Sequence, residues 1–596
     1  MKKQALKPLI IVLGASLAFA GCNGLAKMVK NANKVTYTVT PNPLEEKGDS
    51  VSVTIAGKYP AKYFGKKVTL TVTPSIKFAS GGSQDLKPVT LVGEKATGSG
   101  TKIAYDNGGS FSYSDVIAYQ PGMKESELDV KATGTVKSKS KDFPATKIAD
   151  GTIATSLLVM NNEKPILGKD NFQKTIPERD TTRIFYLISQ SGVRPAEMDS
   201  KEMKEFKKFM DNGTQEGFAW DGIRVDAYAS PDGETEFNSH LAEDRSKTAI
   251  NAMRETFRNM KMDVEKENKR GKKHKVVEKL PVDSKLSEES FYKVVHTGMD
   301  WIGFKTRVEN SDIKDKDLIL RVLTMYSDHD QRMKAIKDMA KTYTELANDI
   351  LPKLRRAIII VDAEKKSRTD AQISQLVTSH PDSLSVEEIL YAATLTNDMN
   401  AKANIYQTAE KQYANDWRTS NDVGYMDIMQ NKVSDADAEF QKADKLSANN
   451  PIIENNMGVV ALMKGDRKTA AADFQKATSA GPEVAYNMGT LDIMTGDYAS
   501  AVSSFGADNS FNSALAKLLN GNPADVATTI DASPVKDDAM SYYLKAVAAA
   551  RQAKADDLVS NLKTAISKDA TLKDRAKTDC EFLKYKDNDA FKTAIQ

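Results

Sequence analysis

Cysteine is almost missing. Cys22 and Cys580 are the only two in 596 residues, so no disulfide framework holds this fold together. Histidine is scarce too. His240, His274, His296, His329 and His380 are scattered, and no two stand four residues apart, which excludes the zinc-binding helix of a metalloprotease. Net charge is nearly absent: 84 Lys and Arg face 81 Asp and Glu, and loss of Lys2, Lys3 and Lys7 with a leader would leave 81 of each sign. Such a balance gives no global pull toward nucleic acid. Apolar runs are short. The longest, Pro8 to Ala20, has thirteen residues, and at about 1.5 Å per residue it falls short of the roughly 30 Å hydrocarbon layer. There is no Gly-x-Ser-x-Gly elbow, no phosphate loop ending in Gly-Lys-Ser/Thr and no His-Glu-x-x-His. The expectation is a protein without catalytic residues, metal or cofactor. Hydrophobic residues at 40% and charged residues at 28% are those of a globular chain, long enough for about four domains.

The N-terminus carries an address. Three lysines in residues 1–7 precede the apolar run, which reads as the core of an export signal. It ends in Phe19-Ala20-Gly21-Cys22, small residues before a cysteine, and resembles a bacterial lipoprotein cleavage site. The resemblance implies that residues 1–21 are removed as a signal peptide and that Cys22 becomes the acylated N-terminus, held in membrane by several acyl chains. Residues 22–34 then form the lipidated linker. Asn23 to Lys27 contains no acid. Similar lipoproteins destined for the cell surface often carry acids there, so the expected location is the outer membrane, facing the periplasm. Cys580 reads as a small buried apolar residue.

Residues 35–165 read as strands. Val35–Val39, Val51–Ile55 and Val68–Val72 alternate apolar and polar, with shorter runs at 90–92 and 128–130. Turn residues intervene at Gly48-Asp49, Gly81-Gly82 and Asp106–Gly109. This pattern predicts an antiparallel β-sandwich. Residues 170–182 are polar, include Pro177 and read as a linker.

From 385 to 596 the chain is helical, Ala-rich and periodic. Gly424, Gly458 and Gly489 are each followed sixteen residues later by Phe440, Phe474 and Phe505, and Ala436, Ala470 and Ala501 stand four before each phenylalanine. The first two glycines are 34 apart and the next two 31. Leu562 and Ala565 occupy the equivalent places in a divergent unit near the end. The pattern resembles the tetratricopeptide repeat, a helix-turn-helix of 34 residues. It predicts an α-solenoid in which the glycine lets two helices approach and alanine and phenylalanine fill the space between them. Its implied partner is a protein or peptide in the concave groove.

Between these regions, strand and helix patterns alternate. Ile184–Ile188 is a strand, Met198–Met210 a helix, Ile223–Tyr228 a strand closed by Ser230-Pro231-Asp232-Gly233, and a further helix opens near Asn238. A basic run (Lys266, Lys269, Arg270, Lys272, Lys273, Lys275) follows, then 285–352 reads as helical, and 354–361 as a buried closing strand. Phe185, Val193-Arg194-Pro195, Ala227–Gly233, the Asn238-x-x-Leu241-x-x-x-Arg245 helix and Arg355–Ile359 resemble the OmpA-like peptidoglycan-binding family. The likeness implies an α+β domain over 180–365, with an insertion at about 262–350. It also implies a ligand site for the peptidoglycan stem peptide. An arginine there would take a carboxylate bidentately and an aspartate an ammonium. Arg245 stands at the arginine position, Ser230 at the aspartate position, with Asp232 as its substitute and Asn238 two turns before the arginine. The chain thus reads as a non-enzymatic envelope lipoprotein. It is either a tether between membrane and cell wall, or a lipid-anchored scaffold of a protein complex that does not touch peptidoglycan.

Overall fold

The computed structural model describes residues 20–267, 273–279 and 284–596, with the side chains of 20–23 and 261–284 outside the described ones. Residues 1–19 of the expected signal peptide and the thiol of Cys22 therefore lie outside the described residues, as does the tip of the basic run, 268–272. The chain packs as two units. One is discontinuous, 1–169 with 396–596, and the other is 170–395. Three domains in series were the expectation. Instead the N-terminal strands and the C-terminal helices share a unit, and the middle region is inserted between them.

In the discontinuous unit, two sheets make a sandwich. One holds Thr36–Thr40, Leu44–Lys47, Ser50–Tyr59, Gly109–Ala118 and the short Thr152–Ile153. The other is built on Thr69–Phe78, paired antiparallel with both Val89–Gly93 and Ser126–Val136. Alternation does the work: Val51, Val53 and Ile55 point inward and are fully buried, facing Leu70, Val72 and Val130 of the second sheet. Residues 22–34 are not a free linker. Helix Ala20–Lys30 places Leu25 and Met28 three residues apart on one face, and both are buried in the sandwich core. Tyr63 Oη donates to the Met28 carbonyl at 3.0 Å.

The C-terminal part of this unit is a stack of helical repeats resembling a tetratricopeptide solenoid. Trp417–Met429 pairs with Val433–Leu446, Pro451–Met463 with Arg467–Lys476, and Pro482–Thr495 with Tyr498–Phe505. A fourth pair, Phe511–Leu519 with Ala524–Asp531, and a fifth, Ala539–Arg551 with Ala555–Lys568, continue it. A Cβ added at Gly424, Gly458 or Gly489 would lie 2.7, 2.7 or 2.8 Å from the ring of Phe440, Phe474 or Phe505. Each glycine is thus a seat for the phenylalanine of its partner helix. Ala436, Ala470 and Ala501 are fully buried beside those rings, and Leu562 and Ala565 are buried in the fifth pair. Cys580 is buried, its Sγ 3.7 Å from the Lys124 carbonyl, and burial pushes the thiol up to about 11.

The middle unit is a four-stranded sheet in the order Thr175–Phe185, Arg356–Lys366, Ala219–Ala229, Tyr292–Met299. Helices Lys201–Gln215 and Thr235–Arg258 cover it, through Met203, Phe206, Ala249 and Met253. Three expectations are corrected here. Residues 175–185 form a strand, not a linker, and Pro177 is accommodated because this is an edge strand whose free side needs no amide donor. Residues 292–299, within a stretch that reads as helical, form a strand parallel to Ala219–Ala229. Its Tyr-x-Val-Val core, rich in β-formers, favours the sheet edge. The repeat boundary moves from 385 to 396, because helix Val386–Ala392 belongs to the middle unit. Its Glu388 accepts two bonds from Arg368 Nη1, at 2.8 and 2.9 Å, and Phe172 stacks on Tyr391 at 4.4 Å. The rest of the insertion holds a hairpin, Lys261–Glu267 with Lys273–Lys279, and four short helices from Trp301 to Asp349 with a core of their own around Phe304, Ile319 and Leu346.

Candidate functional site

Residues 159–169, of which those up to 165 were expected to end the sandwich, do something else. They run as an extended strap along the repeats, opposite in direction to the repeat order. Asn512 Oδ1 accepts from the Met160 amide at 2.8 Å, and its Nδ2 donates to the Met160 carbonyl at 2.9 Å. Asn487 does the same to Lys164, at 2.7 and 2.9 Å, and Asn456 to Ile166, at 2.7 Å for both. Asp422 Oδ1 accepts from the Gly168 amide at 2.6 Å. A side-chain amide carries one donor and one acceptor on the same face, which matches the N–H and C=O of a single residue in an extended chain. The alternate residues 164, 166 and 168 therefore meet successive repeats.

A second row locks the first. Asn421 Nδ2 donates to the Ile166 carbonyl at 3.1 Å and to Asp422 Oδ1 at 3.0 Å, while Asn456 Nδ2 donates to Asn421 Oδ1 at 2.9 Å. Asn455 and Asn487 repeat the arrangement around the Lys164 carbonyl. All six of these side chains are buried, and each hydrogen bond contributes about 1 kcal/mol net. Side chains in and just before the strap join the repeat cores: Leu158 packs into the C-terminal cluster, and Ile166 into the cluster of Phe440 and Phe474. Lys164 Nζ sits 3.6 Å from the centre of the Tyr486 ring, a cation–π contact.

These clamp residues were not picked out from the sequence. Asp422, Asn456 and Asn487 stand two residues before Gly424, Gly458 and Gly489, and Asn512 stands two before Ala514, which takes the glycine place in the fourth pair. An Asn or Asp recurring two residues before each repeat glycine was the available sign.

Asp422 breaks the asparagine series, with a chemical consequence. Burial pushes its carboxyl up to about 8, against smaller opposing effects of the Gly168 amide, Asn421 and Arg418, while Asp416 adds to the rise. Its Oδ2 is buried without a hydrogen-bond partner. The folded carboxyl therefore holds its proton at pH values where the unfolded one, with an ordinary value of 3.8, has lost it. The contribution of this one group to stability falls as pH rises from about 4 to about 8 and levels off above. Asp422→Asn keeps the acceptor for Gly168 and removes the titration. Its melting temperature is expected to match the parent near pH 4 and exceed it at pH 8.5; parallel pH profiles for the two would contradict this.

The residues expected to grip a stem peptide do converge in the middle unit, but their bonds are directed inward. Arg245 is 1% exposed. Its Nε, Nη1 and Nη2 donate to the carbonyls of Gln190, Tyr228 and Leu187 at 3.0, 2.8 and 3.1 Å, and its guanidinium lies over the Tyr186 ring. Burial lowers its pKa to about 10. Ser230 donates to Asp232, and Arg355 serves both, with Nε on Ser230 Oγ at 3.1 Å and Nη2 on Asp232 Oδ2 at 3.3 Å. Lys337 Nζ reaches the Asp232 carbonyl at 2.8 Å. Asn238 is buried against Gly233, and its Nδ2 has no hydrogen-bond partner. The neighbouring Arg356 pairs with the buried Asp300 at 2.6 Å. Among the described residues no group of three His, Cys, Asp or Glu side chains is placed to hold a metal ion.

No family model and no curated protein matches the chain. Among solved structures it is similar to a tetratricopeptide repeat protein from Parabacteroides merdae, at 13% identity over 35% of this chain and 90% of that one, TM-score 0.28. It is also similar to YrrB, a TPR protein with an unusual peptide-binding site, at 16% identity over 35% of this chain and 99% of that one, TM-score 0.21. Yeast Tom70 is 13% identical over 45% of this chain and 63% of that one, TM-score 0.25. Likenesses of this size carry no argument about function. The repeat architecture stands on this chain's own helix pairing and glycine–phenylalanine seats.

Proposed function

We propose that this protein is a non-enzymatic scaffold, anchored to the outer membrane by acyl chains on Cys22 and facing the periplasm, whose helical repeats engage another protein. The observation that carries the reading is the row of side-chain amides in the repeats, built to grip an extended polypeptide by its backbone. The leader and the small residues before Cys22 support the anchor. In the full chain, cross-linking in whole envelopes is expected to trap one protein in near-stoichiometric amount; recovery of the chain alone would end the scaffold reading. Cys22→Ser is expected to move the protein from the detergent phase to the aqueous phase, and unchanged partitioning would end the lipoprotein reading.

The tether reading is second to it. It is favoured by the convergence of Ser230, Asp232, Asn238 and Arg245 in a region whose strand-helix-strand-helix order resembles the OmpA-like family. It is opposed by the engagement of Arg245 with three carbonyls and of Asp232 with Arg355. Sedimentation of the full chain with purified peptidoglycan separates the two: the scaffold reading expects the protein to stay in the supernatant.

A further inference from the structure

The groove that would receive a partner is already filled by the protein's own residues 159–169. We propose that this strap is a built-in competitor for the groove, and that the outside ligand is an extended protein segment carrying an aliphatic residue two places before a glycine. The proposal rests on the scaffold reading and specifies its partner.

The contacts divide into two kinds. Most of the asparagine bonds go to backbone atoms of Met160, Lys164 and Ile166, so most of the clamp recognises any extended chain. Side chains are read at four positions: Asn162 Oδ1 accepts from Tyr486 Oη at 2.5 Å, Lys164 Nζ lies over the Tyr486 ring, and Ile166 and Gly168 are selected by fit. Ile166 is buried among the repeat-core residues. At Gly168 a Cβ would sit 2.8 Å from Arg418 Cβ and 3.1 Å from its Cα, so only glycine brings its amide onto Asp422. Between them the pattern is permissive. The groove uses the amides of 164, 166 and 168, so Pro165 forfeits no bond, and its fixed φ holds the strap extended. The strap is joined to the sandwich at one end and to the middle unit at the other, which gives it an effective concentration on the order of millimolar at the groove. A partner segment with the same aliphatic-x-glycine spacing would have to displace it, and gains access wherever the strap opens.

The test uses the full chain and a fluorescein-labelled peptide of residues 157–169. The strap of one protein sample is weakened by Ile166→Ala with Gly168→Val. This variant is expected to bind the peptide at least tenfold more tightly than the parent chain, and to bind a G168V version of the peptide no better than the parent does. Equal binding by parent and variant, with the variant's helical circular dichroism intact, would overturn the proposal. Should the variant not fold, hydrogen exchange on the parent decides. The amides of Lys164, Ile166 and Gly168 are expected to exchange by local opening, faster than those within Pro451–Met463. Exchange of strap and helix at one common rate of global unfolding would make the strap a permanent part of the core and overturn the proposal. If peptide exchange fails while cross-linking still traps a stoichiometric partner, the scaffold stands and its contact surface lies outside this groove.

Discussion

Arg245→Ala is expected to destabilise the middle unit, not simply to remove a ligand contact. The guanidinium satisfies three carbonyls from two segments, Leu187 and Gln190 in the loop after the first strand and Tyr228 near the end of another. Alanine would take a donor from each of the three in a site where the arginine is 1% exposed, although the Leu187 carbonyl keeps the Gln190 amide at 3.2 Å. Each buried acceptor left unpaired costs about 1–3 kcal/mol, so the Gln190 and Tyr228 carbonyls together imply a loss of roughly 2 kcal/mol or more. Arg245→Lys should recover only part of it, because a single ammonium cannot place three donors in the fixed fork of a guanidinium. Hydrogen exchange over 219–258 in the full chain reads the effect. Parent-like exchange combined with a loss of peptidoglycan binding would reverse the assignment and return Arg245 to the role its sequence position suggests.

Phe474→Ala is expected to cost about 3–5 kcal/mol, the usual range for truncating a core aromatic. The ring is fully buried, seated on Gly458 and flanked by Ala470 and Ala477. Its cluster also contains Ile166, so the cavity would loosen the strap as well as the helix pair. Repeats are stabilised by their neighbours, so faster exchange should spread through 417–505 and reach the amides of Lys164 and Ile166. Wild-type exchange across that region would show that the glycine–phenylalanine seat is not what holds the repeats together.

The local patterns were legible because they depend only on spacing. Alternation at 51–55 and 68–72 places one set of side chains on one sheet face whatever the rest of the chain does. The sixteen-residue interval from glycine to phenylalanine encodes a contact between adjacent helices, short enough in sequence to show as a period. The turn Ser230-Pro231-Asp232-Gly233 and the helix after it follow from local chemistry in the same way. Pro177 misled because proline's exclusion from strands applies to the inside of a sheet, and only the sheet order reveals that 175–185 lies at an edge.

What tertiary structure alone decided has a common cause: the groups involved are far apart in sequence and are matched by backbone, not by side-chain pattern. Lys164 and Asn487, or Gly168 and Asp422, are separated by 323 and 254 residues. A strap held by its amides and carbonyls leaves no motif, since every residue has those atoms. Arg245 has the right residue type at the expected helix position, and nothing in the sequence says that its donors face three carbonyls. By itself the sequence determined the alternating strands of the sandwich and the glycine–phenylalanine period of the repeats. Folding decided that the groove is occupied by its own chain, because only there do the asparagine row and the extended segment come within hydrogen-bonding distance.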